Sequence, residues 1–156
     1  MAVTESVSSW QDHAWAHVSD VFDRRSGRVV SLDDIRAYVD DLIDTYFLGN
    51  MPLVDLEVWS ELAVMVKDAD VELDREFVWS TLCNKQRDYG PENILRFGHR
   101  GLIVRLHDKV ARLENLLKSG KTPENESVAD TYLDIVGYSV IGLMLLDRSF
   151  LKQMAD

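Results

Sequence analysis

Three aspartates, Asp108, Asp130 and Asp134, stand among arginines and lysines in the C-terminal half of this chain. Hard carboxylate oxygens hold divalent cations such as Mg²⁺, and guanidinium and ammonium groups hold phosphate oxygens. The combination suits a metal-assisted reaction on a phosphorylated substrate. The same residue types also suit an internal ionic network with Arg105, Lys109 and Arg112. Spacing alone leaves both readings open.

The elements that must position these side chains are two helices. From Asp130 to Leu146 the sequence is apolar around most of a helical circumference, with no charge between Asp134 and Asp147. Such a helix is buried on most sides, and a buried carboxylate requires a partner. At about 100° per residue, Ser127, Asp130, Asp134 and Gly137 share one face. The preceding segment, Gly101 to Leu117, repeats apolar residues at three and four (Ile103, Leu106, Val110, Leu113, Leu117), the mark of a packed seam. Arg105, Asp108 and Arg112 fall on roughly its opposite side, with Lys109 adjacent. Gly120 suits a helix C-cap, and Thr122-Pro123 suits an N-cap and first turn. The short loop predicts antiparallel neighbours, with Asp108 brought towards Asp130 and Asp134.

The rest of the chain predicts an all-α fold. Helices are expected over Val7–Phe22, over Leu32–Phe47 capped by Ser31, from about Leu53 to Lys67, and from about Leu73 to Arg87. Asp88-Tyr89-Gly90-Pro91 ends the fourth and opens an irregular loop through Phe97-Gly98. Residues 73–156 are read as the helical core, compact over 73–150, and residues 1–72 as an added helical layer.

With 156 residues and 46% hydrophobic content, one domain with a real core is expected. A net charge of −10 argues against passive binding of duplex nucleic acid. The acidic run Asp33, Asp34, Asp40, Asp41, Asp44 reads as a solvated face, or more sharply as a DNA-mimicking one. The single cysteine, Cys83, forms no internal disulfide. No signal-peptide pattern opens the sequence, and the apolar run Ile135 to Leu146 is too short to span a bilayer, so a soluble, cytoplasmic protein is expected. Gly120-Lys121-Thr122 is not a P-loop, because Asn115 stands where the pattern needs glycine. His13 and His17 are four apart without an evident third ligand, and the four tryptophans read as core or interface. Nothing supports a serine or cysteine nucleophile.

A longer pattern adds to this. Asn84-Lys85-Gln86-Arg87-Asp88-Tyr89-Gly90, Asn93, Phe97-Gly98, Arg105-Leu106-x-Asp108-Lys109-x-x-Arg112-Leu113 and Glu126-Ser127-x-x-Asp130-Thr131-x-x-Asp134-Ile135-x-x-Tyr138 follow one another in order. Over about residues 73–150 this resembles the phage and bacterial nucleotide-modification-associated domain, itself similar to the MazG-like all-α nucleoside triphosphate pyrophosphatases. The resemblance implies a MazG-like helical bundle, usually a homo-oligomer. It also implies a Mg²⁺-dependent (or Mn²⁺-dependent) hydrolase that splits (d)NTP into (d)NMP and pyrophosphate. Such an enzyme would act in nucleotide-pool control or DNA-base modification, in the host cytoplasm if phage-encoded. Asp108, Asp130 and Asp134, with Glu126, would hold the metal. The same three aspartates would carry catalysis. Lys85, Asp88, Tyr89, Arg105, Lys109 and Arg112 would bind the nucleotide. The chain departs from the superfamily's paired carboxylates: it has Arg105-x-x-Asp108 for Glu-x-x-Glu, and Ser127-x-x-Asp130 for Glu-x-x-Asp. The competing expectation is a non-catalytic, acidic interaction protein on a degenerate hydrolase scaffold.

Overall fold

The computed structural model describes residues 8–27, 29–49, 55–69, 72–120 and 127–156. Among them all regular structure is helical: α1 (Trp10–Asp23), α2 (Leu32–Phe47), α3 (Asp55–Ala69), α4 (Arg75–Tyr89), the single turn α5 (Glu92–Leu95), α6 (Gly98–Ser119), α7 (Val128–Leu146) and a 3₁₀ turn at Ser149–Leu151.

Local signals set most of these boundaries. Ser9, Ser31 and Ser127 each accept a bond from the backbone N–H three residues on, while Asp12, Asp34 and Asp130 return one to the cap. These are three capping boxes, each satisfying two N–H groups at a helix start. Asp74 caps α4 through the Phe77 N–H. Gly120 ends α6 at φ 65°, ψ 13°, the left-handed cap expected of it. The second helix has the predicted limits, the fourth is displaced by about two residues, and the third ends two residues later than predicted, its expected start at Leu53 lying outside the described residues. The stretch expected to be irregular contains α5, because Ile94 is buried and pins one helical turn to the core. Leu117 is exposed, so the α6 seam stops at Leu113. Thr122 and Pro123 lie outside the described residues, and α7 is capped at Ser127.

One hydrophobic core runs through the molecule, and α7 is its axis. It packs against α1, α3, α4 and α6. Ile135, Val136, Val140 and Met144 have no exposed surface, nor do Trp59, Leu62, Ala63 and Val66 of α3. The core is continuous across residue 72. By length and composition α7 would suffice to cross a membrane; here the chain itself surrounds it. Its apolar surface is thus largely covered within one chain.

Four helices meet where Trp59 lies against Gly142. Trp59 donates to the Tyr46 hydroxyl at 3.4 Å, His99 stacks on Tyr46 at 5.1 Å, and His99 Nε2 contacts the Gly142 carbonyl at 3.0 Å. At the other end Phe150 meets Trp10 edge to face at 6.0 Å, and Trp10 N–H donates to the Gln153 carbonyl at 2.9 Å.

Candidate functional site

Helices α6 and α7 are antiparallel, and three polar contacts at successive turns fix their register. Arg112 Nη1 donates to Thr131 Oγ1 at 2.5 Å, Lys109 Nζ reaches Asp134 Oδ2 at 2.8 Å, and the Arg105 guanidinium lies over the Tyr138 ring at 5.9 Å. Lys85, from the last turns of α4, reaches the other oxygen, Asp134 Oδ1, also at 2.8 Å. The carboxylate in the apolar helix therefore has the partners its burial demands: two ammonium groups, one on each oxygen. Its side chain is only 13% exposed, against 49% for Lys85 and 21% for Lys109. Burial pushes its pKa up, the bonds to Lys109 and Lys85 pull it down, and the balance lies below the ordinary aspartate value.

Beside this triad, α4, α5, α6 and α7 enclose a cavity of about 260 Å³. Its floor is apolar, with Val78, Leu82, Ile94, Leu133 and Ile141. Its polar lining is Thr81, Lys85, Gln86, Tyr89, Asn93, Arg105, Asp134 and Tyr138. Tyr89 is 67% exposed and stands at the rim. Gly137 faces the cavity where a side chain would narrow it. An apolar pocket with a few convergent polar groups is the usual form of a small-ligand site, and this one lies just below the usual size range of roughly 300–1,000 Å³.

Of the residues proposed from sequence, Lys85, Tyr89, Arg105 and Asp134 line the cavity, and Lys109 backs Asp134. Arg112 sits further along α6, on Thr131. Asp88 and Asp108 are exposed and are not among the lining residues. Asp130 is also exposed; its carboxylate accepts from the Ser127 N–H at 3.3 Å and belongs to the helix cap. Glu126 lies outside the described residues. Gln86, Asn93 and Tyr138, which belong to the sequence pattern but had no role assigned, and Thr81, which the pattern does not include, complete the lining. Tyr138 is one turn beyond Asp134 on the same face, which is the signal that locates it.

The donor set decides whether Mg²⁺ or Mn²⁺ fits. Among the described residues no three His, Cys, Asp or Glu side chains converge. Asp108, Asp130 and Asp134 are not one cluster, and both oxygens of Asp134 are taken by lysines. A divalent ion there would have to displace two ammonium groups with one carboxylate to offer. The described residues do not fit a divalent-metal centre. Cys83 adds no chemistry: it is buried behind the α4 wall, and burial pushes its thiol up to about 11. His13 and His17 form no metal site either, His17 being bonded to Asp147 at 2.6 Å.

Residues 85–146 match the family model described as nucleotide modification associated domain 1. No curated protein and no solved structure matches the chain.

Proposed function

We propose that the cavity between α4 and α7 binds a nucleotide. The ligand class is a nucleoside triphosphate, the reaction class is its cleavage to monophosphate and pyrophosphate, and the scaffold is of the MazG-like helical type. One coincidence carries the reading. Every polar residue lining the cavity except Thr81 lies inside the segment similar to nucleotide modification associated domain 1. Together they offer what a nucleotide needs. Tyr89 and Tyr138 supply aromatic faces for a base. Gln86 and Asn93 supply amides that both donate and accept, as a base edge requires. Lys85 and Arg105 supply cations for phosphate.

The chain's own residues account for binding more fully than for water activation. Asp134 is held ionised with both oxygens bonded, which makes it a weak general base. No step is assigned to a metal, since the described carboxylates do not assemble a centre.

Pyrophosphate release from each common dNTP and NTP, with and without Mg²⁺ or Mn²⁺, should be followed beside calorimetric binding. Binding is expected, and Tyr138→Ala should weaken it roughly tenfold, the scale of one lost base–aromatic stack. Release of pyrophosphate would complete the hydrolase reading. Binding without release would leave a nucleotide-binding protein and favour the non-catalytic alternative. Absence of binding for every nucleotide would sink the proposal.

A further inference from the structure

We infer that Thr81 is the residue with which this chain selects its ligand: its hydroxyl reads one hydrogen-bonding group on the base of the nucleotide held in the cavity. This rests on the nucleotide-binding reading and adds to it the point at which one base is told from another.

The wall that α4 contributes has a direction. Tyr89, Lys85, Leu82 and Val78 follow one another along it at spacings of three and four. Exposure falls in that order, from 67% at Tyr89 and 49% at the Lys85 side chain to 5% at Leu82 and none at Val78. The cavity is therefore open at the Lys85 end and closed at the Val78 end. Helix α7 runs antiparallel beside it, since Lys85 meets Asp134 and Leu82 faces Gly137. That register sets Thr81 level with Tyr138, and Val78 level with Ile141. Thr81 stands one helical turn, about 6 Å, inward of Lys85 on the same face. A phosphate at Lys85 leaves the base of the same nucleotide pointing inward, towards Thr81 and the Tyr138 ring. Gly137, without a side chain, leaves that path open.

The Thr81 hydroxyl is uncommitted. Serine and threonine inside a helix often return the hydroxyl to the carbonyl four residues back, and Thr45, Thr131 and Ser139 do so here at 2.8, 3.2 and 2.7 Å. Thr81 does not. Among the described residues its hydroxyl has no hydrogen-bond partner, although the residue is half-buried in the cavity wall. A polar group left unpaired in such a place is poised for a ligand to complete.

Its surroundings give that one group its discriminating power. Val78 and Leu82, on either side of it along α4, are apolar and press on any base alike. Gln86, one turn towards the mouth, and the exposed Asn93 meet the ligand nearer solvent, where water competes. A hydroxyl both donates and accepts, so it answers a carbonyl or an amino group. A base that places such a group at Thr81 is held, and a base that places a C–H there leaves the hydroxyl unpaired. Thr81 also precedes the segment matched by the family model, which starts at residue 85, so the family match does not supply this residue.

Calorimetric titration of the full chain with dATP, dGTP, dCTP and dTTP, for the parent, Thr81→Val and Thr81→Ser, tests this. Valine keeps the shape and removes the hydroxyl; serine keeps the hydroxyl. The parent should bind the four unequally. Thr81→Val should weaken the preferred nucleotide roughly tenfold, the scale of one lost hydrogen bond, and hardly change the least favoured. Thr81→Ser should retain the parent's order of preference. Without ligand, Thr81→Val should unfold no lower than the parent, because no bond within the protein is lost. Equal binding of all four by the parent would overturn the inference and leave the pocket reading standing. So would a Thr81→Val protein that keeps the parent's preference, whether at full affinity or with a uniform loss and a lowered Tm. No binding of any nucleotide by the parent would remove the pocket reading and this inference together.

Discussion

Asp134 ties three helices together through two lysines, and its worth depends on its charge. Asp134→Asn keeps the shape but takes a full negative charge from between two ammonium groups, at a cost of about 1–3 kcal/mol at neutral pH. Because the folded carboxyl titrates below its ordinary value, this stabilisation is complete above the ordinary aspartate range and drains away as pH falls through the folded pKa. Thermal unfolding of both proteins across pH should show a gap that is widest near neutrality and closes in acid; a gap constant down to strong acid would contradict it. The need for partners at Asp134 was legible, since one charge in an apolar run announces them. Lys109 was within sight on the next helix. Lys85 could be reached only through the family resemblance, because nothing local ties residue 85 to residue 134. Asp130 carries a second demand. Ser127-x-x-Asp130 also has the form of a capping box, and in the structure it meets the demand of the N–H groups at the start of α7.

Among the helices, the tightest joint is between α3 and α7. A methyl group at Gly142 would stand 2.2 Å from Trp59 Cε3, and Trp59 is fully buried with no room to retreat. Gly142→Ala should therefore cost about 3 kcal/mol, a fall of roughly 10 °C in Tm for a chain of this size. At Gly137 the same methyl meets only Leu82 Cδ2 at 3.3 Å, so Gly137→Ala should unfold within a few degrees of the parent while narrowing the cavity. Differential scanning calorimetry of the two variants side by side decides this; equal losses would mean that the Trp59 contact yields easily. A third substitution tests an end rather than a face. Gly120→Ala places a side chain at φ 65° and should cost about 1 kcal/mol, with any larger effect showing that the cap does more than end α6. Legibility varies in the same way across elements. α2 was readable to the residue because Ser31 and Asp34 cap a clear apolar period. α5 was not, because a four-residue turn is shorter than the window in which periodicity can be seen.

At the scale of the whole molecule, apolar periodicity foretold an all-helical chain and composition a substantial core, but neither showed how the first three helices would enter it. Trp59 and Gly142 lie far apart in sequence, and nothing in either segment names the other. With one core spanning residues on both sides of position 72, unfolding should be a single cooperative transition, coincident by far-ultraviolet circular dichroism and tryptophan fluorescence. Residues 73–156 expressed alone should lack fixed packing, since α7 would lose its cover from α1 and α3. Two separated transitions, or a well-folded fragment, would show that the layers are independent. The solitary thiol on α4 gives the molecule a practical property. With its proton held up to about 11, Cys83 is almost wholly unionised at neutral pH and is inaccessible besides. To alkylating dyes the native chain is nearly blank. A cysteine introduced at an exposed position such as Asn84 would carry the only label, close enough to the rim for its emission to report a ligand's arrival.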